Sequence, residues 1–407
     1  MLRAAFALVV VSAAACASDY ERTLEQLSEP AESRWQHYAA PYFSTNEKLL
    51  NRFYPRFDGL GGVTVGVSFQ QNLSLLVHAR PELCVIFDYN PGLTEVLVPF
   101  MGDVLKSSST RREFLSTLLG ADFSDEETKD LLSGAKPAAG VLTGVLERTD
   151  AARCKTRLDQ LRARLLGRVP AQATAYARSE IGKWIDILET EELLTGAFFS
   201  DAIAGGGWLS TEENYALVRK YWLTGRIIGV TGDISGPSVA KLGDFLRAKR
   251  LEVTALYLSN VGISTEGHFP GSWFRDLYHK LGAELPVTPN ALTLIAQGPW
   301  QLTGYVRTLK QAIWVYDQMA DVPQEIAIRL HEAPLEIQVQ MGPSQLIPAL
   351  RKGLASVHAA PAYVQMLDRL EAGNSGDLEK SPGVDPRSPV YKAIYCTLVE
   401  AGRVRSQ

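Results

Sequence analysis

Between residues 61 and 90 the chain reads GGVTVGVSFQQNLSLLVHARPELCVIFDYN: an apolar β-branched run, a short turn, a helix-length stretch, and a second apolar run closed by an acid. Short runs with no polar alternation have no face to give to water, so they belong inside a sheet covered on both sides. GVTVGV (62–67) and LCVIFDY (83–89) are followed by RIIGVTGD (226–233), EVTALYLSN (252–260) and ALTLIAQ (291–297). Helical stretches near 70–79, 93–105, 211–224 and 237–249 separate them. This alternation predicts an α/β chain: a Rossmann-like, mostly parallel sheet with helices on both faces.

Helix starts carry a common signature. STNE (44–47), TRRE (110–113), SDEE (124–127) and STEE (210–213) each set a Ser or Thr three residues before a Glu, the pattern of a reciprocal cap. Gly120, Gly134 and Gly225 fit left-handed helix stops. The stretch from about 135 to 195 is helical by period and has no strand candidate, so it reads as a helical insertion over one side of the sheet, placed to act as a lid. Beyond 300 the pattern changes: YVRTLKQAIWVYDQM is an amphipathic helix, and EIAIRL and LEIQVQM alternate as a hairpin across HEAP. PAYVQMLDRL and YKAIYCTLVEAG are helices, separated by the polar loop EAGNSGDLEKSPGVDPRSP. The expected divisions are a signal peptide over 1–16, an N-terminal linker and helix over 17–55, the Rossmann-like domain over 56–300, and a small α+β extension over 301–407.

The opening MLRAAFALVVVSAAACASDYE has the layout of a secretory signal: Arg3, an apolar stretch from Ala4 to Val11, and small residues running into Cys16. AAAC at 13–16 resembles the box cut by the lipoprotein signal peptidase, which makes Cys16 the expected site of lipidation. Ala13 stands where that box most often has Leu, and plain cleavage near ACA stays open. Ala17 and Ser18 follow the Cys with no Asp directly after it, which by resemblance to Gram-negative lipoproteins favours the outer membrane, facing periplasm or surface; otherwise the chain is secreted or periplasmic. No later apolar run is long enough to cross a bilayer. Lys+Arg of 41 against Asp+Glu of 45, with neither sign in long blocks, argues against nucleic acid as the main partner. Cys84, Cys154 and Cys396 have no close-paired metal spacing; Cys154 and Cys396 are a candidate disulfide.

Candidate site residues gather where the apolar runs end. Asp88 follows Gly66 by 22 residues, a spacing that suits an acceptor for ribose or another polar ligand; the other reading is a cap on the helix beginning near NPGL. The turn VGVSFQQN holds Gly66 alone where a cofactor loop has two or three glycines. Gln70, Gln71 and Asn72 either line the same mouth or only start the helix. TGDISGP offers Asp233 as a ligand group and the amides of 235–238 as an anion site, against a plain helix cap. YLSN brings Tyr257, Ser259 and Asn260 towards the same edge. The binding candidates are therefore Gly66, Ser68, Gln71, Asn72, Asp88, Asp233, Tyr257, Ser259 and Asn260. No catalytic set is readable: GxSxG is absent, and His37, His78, His268, His279, His331 and His358 are scattered, His268 in STEGHFPGSWF being the one to test. Trp208, Trp273, Phe269 and Tyr257 wall a pocket or pack the core.

The segment VGVSFQQNLSLLVHARPELCVIFDYN and the block WLSTEENYALVRKYWLTGRIIGVTGDISGPSVAKLGDFLRAKRLEVTALYLSNV (208–261) resemble a family of uncharacterised bacterial proteins. The fold of that family is similar to class I S-adenosylmethionine-dependent methyltransferases. The resemblance covers about residues 40 to 300, and the second block is its more specific part. Family members read GVGPEQN where this chain reads GVSFQQN, so Ser68 replaces the second glycine of the turn. The resemblance implies the fold and carries no established activity. The functional expectation is an exported, lipid-anchored binding or interaction protein without a cofactor, its partners the membrane, through the anchor, and a small molecule or protein. The alternative is an S-adenosylmethionine-dependent methyltransferase or other nucleotide-cofactor enzyme. Against that alternative stand the glycine-poor turn and an export signal leading where S-adenosylmethionine is not supplied.

Overall fold

The structure, a computed structural model, describes residues 20–30, 35, 50–133, 138–188, 202–259, 261, 263–264, 267–268, 271–295, 305–372, 378–401 and 403. Cys16 and the rest of the signal, the box at 44–47, Gly134, Asn260, Phe269 and His37 lie outside the described residues. The chain divides into two compact units, Met1–Ser259 with Glu284–Leu292, and Asn260–Ala283 with Thr293–Gln407.

In the first unit β1 (Val63–Gly66), α1 (Gln70–Ala79) and β2 (Leu83–Asp88) fall where the apolar runs put them. A π turn over Gly92–Leu97 leads into α2 (Val98–Ser107), followed by α3 (Arg111–Leu119) and α4 (Asp125–Ser133). The insertion supplies α5 (Ala138–Arg148), α6 (Ala151–Gly167) and α7 (Ala175–Leu188), and α6 packs on α3 and α7. Then come α8 (Glu212–Leu223), β3 (Ile227–Thr231), α9 (Ser238–Lys249) and β4 (Val253–Ser259). The first unit resumes at Glu284–Leu292 with most of β7 (Val287–Ile295), while the two-residue pair β5 (Ile263–Ser264) and β6 (Gly267–His268), α10 (Gly271–Glu284) and β8 (Tyr305–Thr308) belong to the second unit.

The sheet order is β3-β2-β1-β4-β7-β8, and β1 pairs in parallel with both β2 and β4, as β2 does with β3. Order reverses between β1 and β4, so the crevice beyond their carboxyl ends is the switch point where open α/β sheets take ligands. Every residue of β1 and β3 is buried, which means both faces are covered. Strand β7 begins four residues before the run at 291, and β8 is a strand that the sequence pattern had merged into the following helix.

Caps follow the sequence signature with one shift. Thr110 accepts from the Glu113 amide, and Ser124 and Glu127 cap each other. At 210–213 the cap is Thr211, accepting from Asn214, while Ser210 donates to Gly207 instead. Both Gly120 and Gly225 take the expected positive φ.

In the second unit the hairpin expected across HEAP is not formed. Residues 324–341 are helical: Gln324–Ala327, a π turn over Ile328–Glu332, and Ala333–Met341. Pro334 has no N–H for the carbonyl four residues back, and the Leu330 carbonyl accepts from Thr397 Oγ1 at 2.7 Å instead. The unit is completed by α11 (Leu309–Met319) and further helices over Leu346–Ser356, Pro361–Glu371 and Pro389–Glu400. Its core holds a buried ionic cluster: Glu400 accepts from His331 at 2.5 Å and pairs with Arg307 at 2.7 Å. Burial raises the Glu400 carboxyl, but Arg307 and His331 outweigh it and hold the group below the ordinary range. Cys84, Cys154 and Cys396 are free thiols, so the candidate disulfide is not formed.

A helical segment over 20–27 lies against the edge strand β3. A Cβ on Gly229 would stand 2.2 Å from Tyr20 Oη and 3.0 Å from Leu24 Cδ1, so this glycine admits the segment. Tyr20 Oη then donates to the Thr94 carbonyl at 2.8 Å. We expect Gly229→Ala to lower stability by about 1–3 kcal/mol, the usual range for overpacking, and to speed protease cleavage within residues 20–30. Unchanged melting and unchanged cleavage would show that the segment is not seated on β3.

Candidate functional site

The switch-point turn starts from Gly66 and is closed by the protein's own groups. A Cβ on Gly66 would lie 1.9 Å from Asn72 Oδ1, so the glycine makes room for a side chain of the next helix. Asn72 Nδ2 donates to the carbonyls of Val67 (2.8 Å) and Ser68 (2.9 Å). Ser68 is left-handed at φ 66°, a conformation that costs a side-chain-bearing residue about 1–2 kcal/mol. Ser68 thus keeps a glycine-type backbone without being a glycine.

Asp88 holds that turn in place. Its Oδ2 accepts from the Ser68 amide at 3.0 Å and its Oδ1 from the Asn90 amide at 2.9 Å. Asn90 Oδ1 in turn accepts from Gly92 at the start of the π turn. Both oxygens of the strand-end acid are thus engaged in joining the ends of β1 and β2. Burial raises its carboxyl to about 6, against the opposing hydrogen bonds from Asn90, Ser68 and Tyr89.

Side chains fill the mouth around this link. Phe69, Gln70 and Gln71 are fully buried, and Tyr257 and Ser259 are buried at the end of β4, Ser259 left-handed at φ 50°. Four amide atoms here, Gln70 Oε1 and Nε2, Gln71 Nε2 and Asn72 Oδ1, are buried with no hydrogen-bond partner. Each unmet group costs on the order of 1–3 kcal/mol.

At the end of β3 an internal carboxylate takes the Asp233 amide, ahead of the 235–238 amides offered as an anion site. Ser28 Oγ accepts from the Thr231 amide at 2.7 Å, the Glu29 amide donates to the Thr231 carbonyl at 3.0 Å, and Glu29 Oε1 accepts from the Asp233 amide at 3.0 Å. Cβ atoms on Gly232 or Gly236 would each come within 3.0 Å of Glu29 Oε1. The two glycines therefore admit Glu29. Asp233 is exposed, and its Oδ1 accepts from the amide and hydroxyl of Ser235, closing a tight turn before α9. Nothing in YERTLEQLSEP at 20–30 marks Glu29 for this role, because its partner lies 204 residues away.

The remaining candidates are dispersed. Trp208 is core, edge-on to Phe114 at 5.5 Å, and Trp273 packs edge-on to Phe274 at 5.2 Å. His78 lies between Asp58 (2.6 Å) and the Gly205 carbonyl (3.1 Å), with no nucleophile on either nitrogen, and His279 meets Asp317 at 2.8 Å. His268 has its backbone in β6; its side chain is outside what is described. No cluster of three or more potential metal ligands occurs among the described residues.

The raised Asp88 carboxyl has a signed consequence. A folded value above the unfolded one makes a contribution to stability that is complete below the unfolded value of about 3.9 and is lost as pH rises through about 6. The stability of the wild type relative to Asp88→Asn should therefore be greatest near pH ~4 and shrink across the window to ~6, as read from urea melts. A difference that stays constant across that window would contradict the assigned burial.

A search of curated proteins finds no match to the chain. The ends of β1 to β4, with α2 to α5 and α6 as far as residue 166, fall within the two blocks, residues 42–166 and 199–276, that match a protein-family profile described as a domain of unknown function, DUF7790; Ser28 and Glu29 lie outside them.

Proposed function

We propose that this chain is an exported, lipid-anchored binding protein that keeps a Rossmann-like, methyltransferase-like scaffold and has turned its cofactor turn to internal use. The observation that carries this reading is the hydrogen bond from the Ser68 amide to Asp88 Oδ2. In a cofactor site that amide faces the ligand and the acid binds ribose hydroxyls. Here each satisfies the other. Phe69, fully buried, occupies the adjacent path, and Asn72 takes the space that Gly66 leaves open. What such a site can accept is small and polar, recognised by the carboxamides of Gln70 and Gln71.

The anchor is proposed from AAAC at 13–16, with Cys16 the lipidated residue and the outer membrane the destination. No described helix is long and apolar enough to cross a membrane. The second reading, an S-adenosylmethionine-dependent methyltransferase or other nucleotide-cofactor enzyme, is favoured by one observation: the strand order places Asp88 beside the switch point.

Calorimetry on the mature chain with S-adenosylmethionine, its demethylated product and NAD decides between the two. The expected result is no binding at micromolar levels, because a ribose hydrogen-bonded to Asp88 supplies about 1.5–3 kcal/mol, well short of the roughly 8 kcal/mol of micromolar affinity, and the Ser68 amide is already taken by Asp88. Micromolar binding abolished by Asp88→Ala would defeat the binding-protein reading without a cofactor and restore the enzyme alternative.

For the anchor, Cys16→Ser is expected to leave an unprocessed precursor without lipid. Normal processing of that variant, with no labelled lipid in the wild type, would remove the lipoprotein proposal.

A further inference from the structure

A cleft of 510 Å³ opens in the first unit between α3 and α6, and none of the strand-end residues lines it. The helices present their polar sides to it: Arg112, Ser116 and Thr117 from α3, and Arg157, Gln160 and Arg164 from α6. Phe123 and Leu161, both buried, supply apolar wall. The volume lies within the 300–1,000 Å³ common for small-molecule sites.

Charge decides what the cleft suits. Its two acids are already engaged. Glu113 accepts from the Ser109 amide at 2.5 Å, and Asp122 pairs with Arg157 at 2.7 Å and with Arg153 at 2.9 Å. The hydrogen bond from Arg157 is the main cause holding the Asp122 carboxyl below the ordinary range. Among the cations, Arg112 meets only the exposed Asp125, at 3.4 Å, a surface pairing worth little. Arg164 has no ion-pair or hydrogen-bond partner among the described residues. One loosely held and one unengaged guanidinium therefore border a partly apolar cleft on facing helices.

We propose that this cleft is a binding site for a small oxyanion with an apolar body, the acid group held by Arg112 and Arg164 and the body laid on Phe123 and Leu161. Planar guanidinium forks suit phosphate and carboxylate oxygens, and the apolar wall selects against bare inorganic ions. The site is independent of the strand-end turn.

The test is calorimetric titration of the full chain with phenyl phosphate and with benzoate, using phenol and inorganic phosphate as probes that carry only one half of the recognised chemistry. Saturable binding of at least one of the aromatic anions is expected, with each half-probe at least ~10-fold weaker. Arg164→Gln should weaken binding by about 10-fold while leaving the melting temperature unchanged, since that side chain has no described partner to lose. Asp88→Asn, at the strand ends, should leave the affinity unaltered. Preference for phenyl phosphate assigns a phosphate ester, and preference for benzoate a carboxylate. Absence of saturable binding by about 10 mM, or binding indifferent to both Arg164→Gln and Arg112→Gln, overturns the proposal.

Discussion

A parallel sheet has no face that it can leave to water, and the first unit is arranged around that constraint. β1 and β3 are buried at every position, so helices must cover them, and the crossovers that parallel strands require supply those helices. α1 packs on β1 and β2, the π turn before α2 packs on β2 and β3, and α8 closes against α1 and α2. The edge strand β3 is left with backbone groups that no crossover reaches, and Ser28 and Glu29 take them up at Thr231. The N-terminal segment is thus as much a part of the covering as the crossover helices.

The same topology explains why one place can be a ligand cradle in one protein and a closed turn in another. Strand order fixes where the chain must turn sharply and expose amides; it does not fix what those amides bond. With glycines the backbone remains open to a ligand. In this chain Ser68 adopts the glycine-like φ of 66°, Asp88 accepts its amide, and the carboxamide of Asn72 accounts for two carbonyls. The β3 end repeats the solution with a different acid, Glu29, on the Asp233 amide.

Legibility in the sequence followed the range of the interaction. Central strands and their helices were readable because short apolar runs and capping pairs are local signals. The EIAIRL and LEIQVQM alternation was misread because residues 326 and 330, four apart, suit a helix face as well as a strand, and Pro334 looks like a turn residue. The π turn over Ile328–Glu332, and the bond from Thr397, 67 residues on, to the Leu330 carbonyl, accommodate Pro334 within a helical run. β8 was missed although Thr308 and Gln311 form a reciprocal cap that marks where strand gives way to helix. At the site, the sequence puts Gly66, Ser68 and Asp88 at the ends of apolar runs as ligand candidates, but the bond from the Ser68 amide to Asp88 is not legible there, since spacing does not say who accepts from whom. Glu29 was beyond reach for the same reason.

The seating of residues 20–30 on β3 also bears on how the chain matures. Ser28 and Thr231 are 203 residues apart, so the earliest-made part of the described structure waits for a partner in the second half of the chain. At roughly 5–20 residues per second of synthesis, that interval is about 10–40 s. Until it ends, neither the covering segment nor the strand edge has its partner, and unpaired edges are where chains join one another.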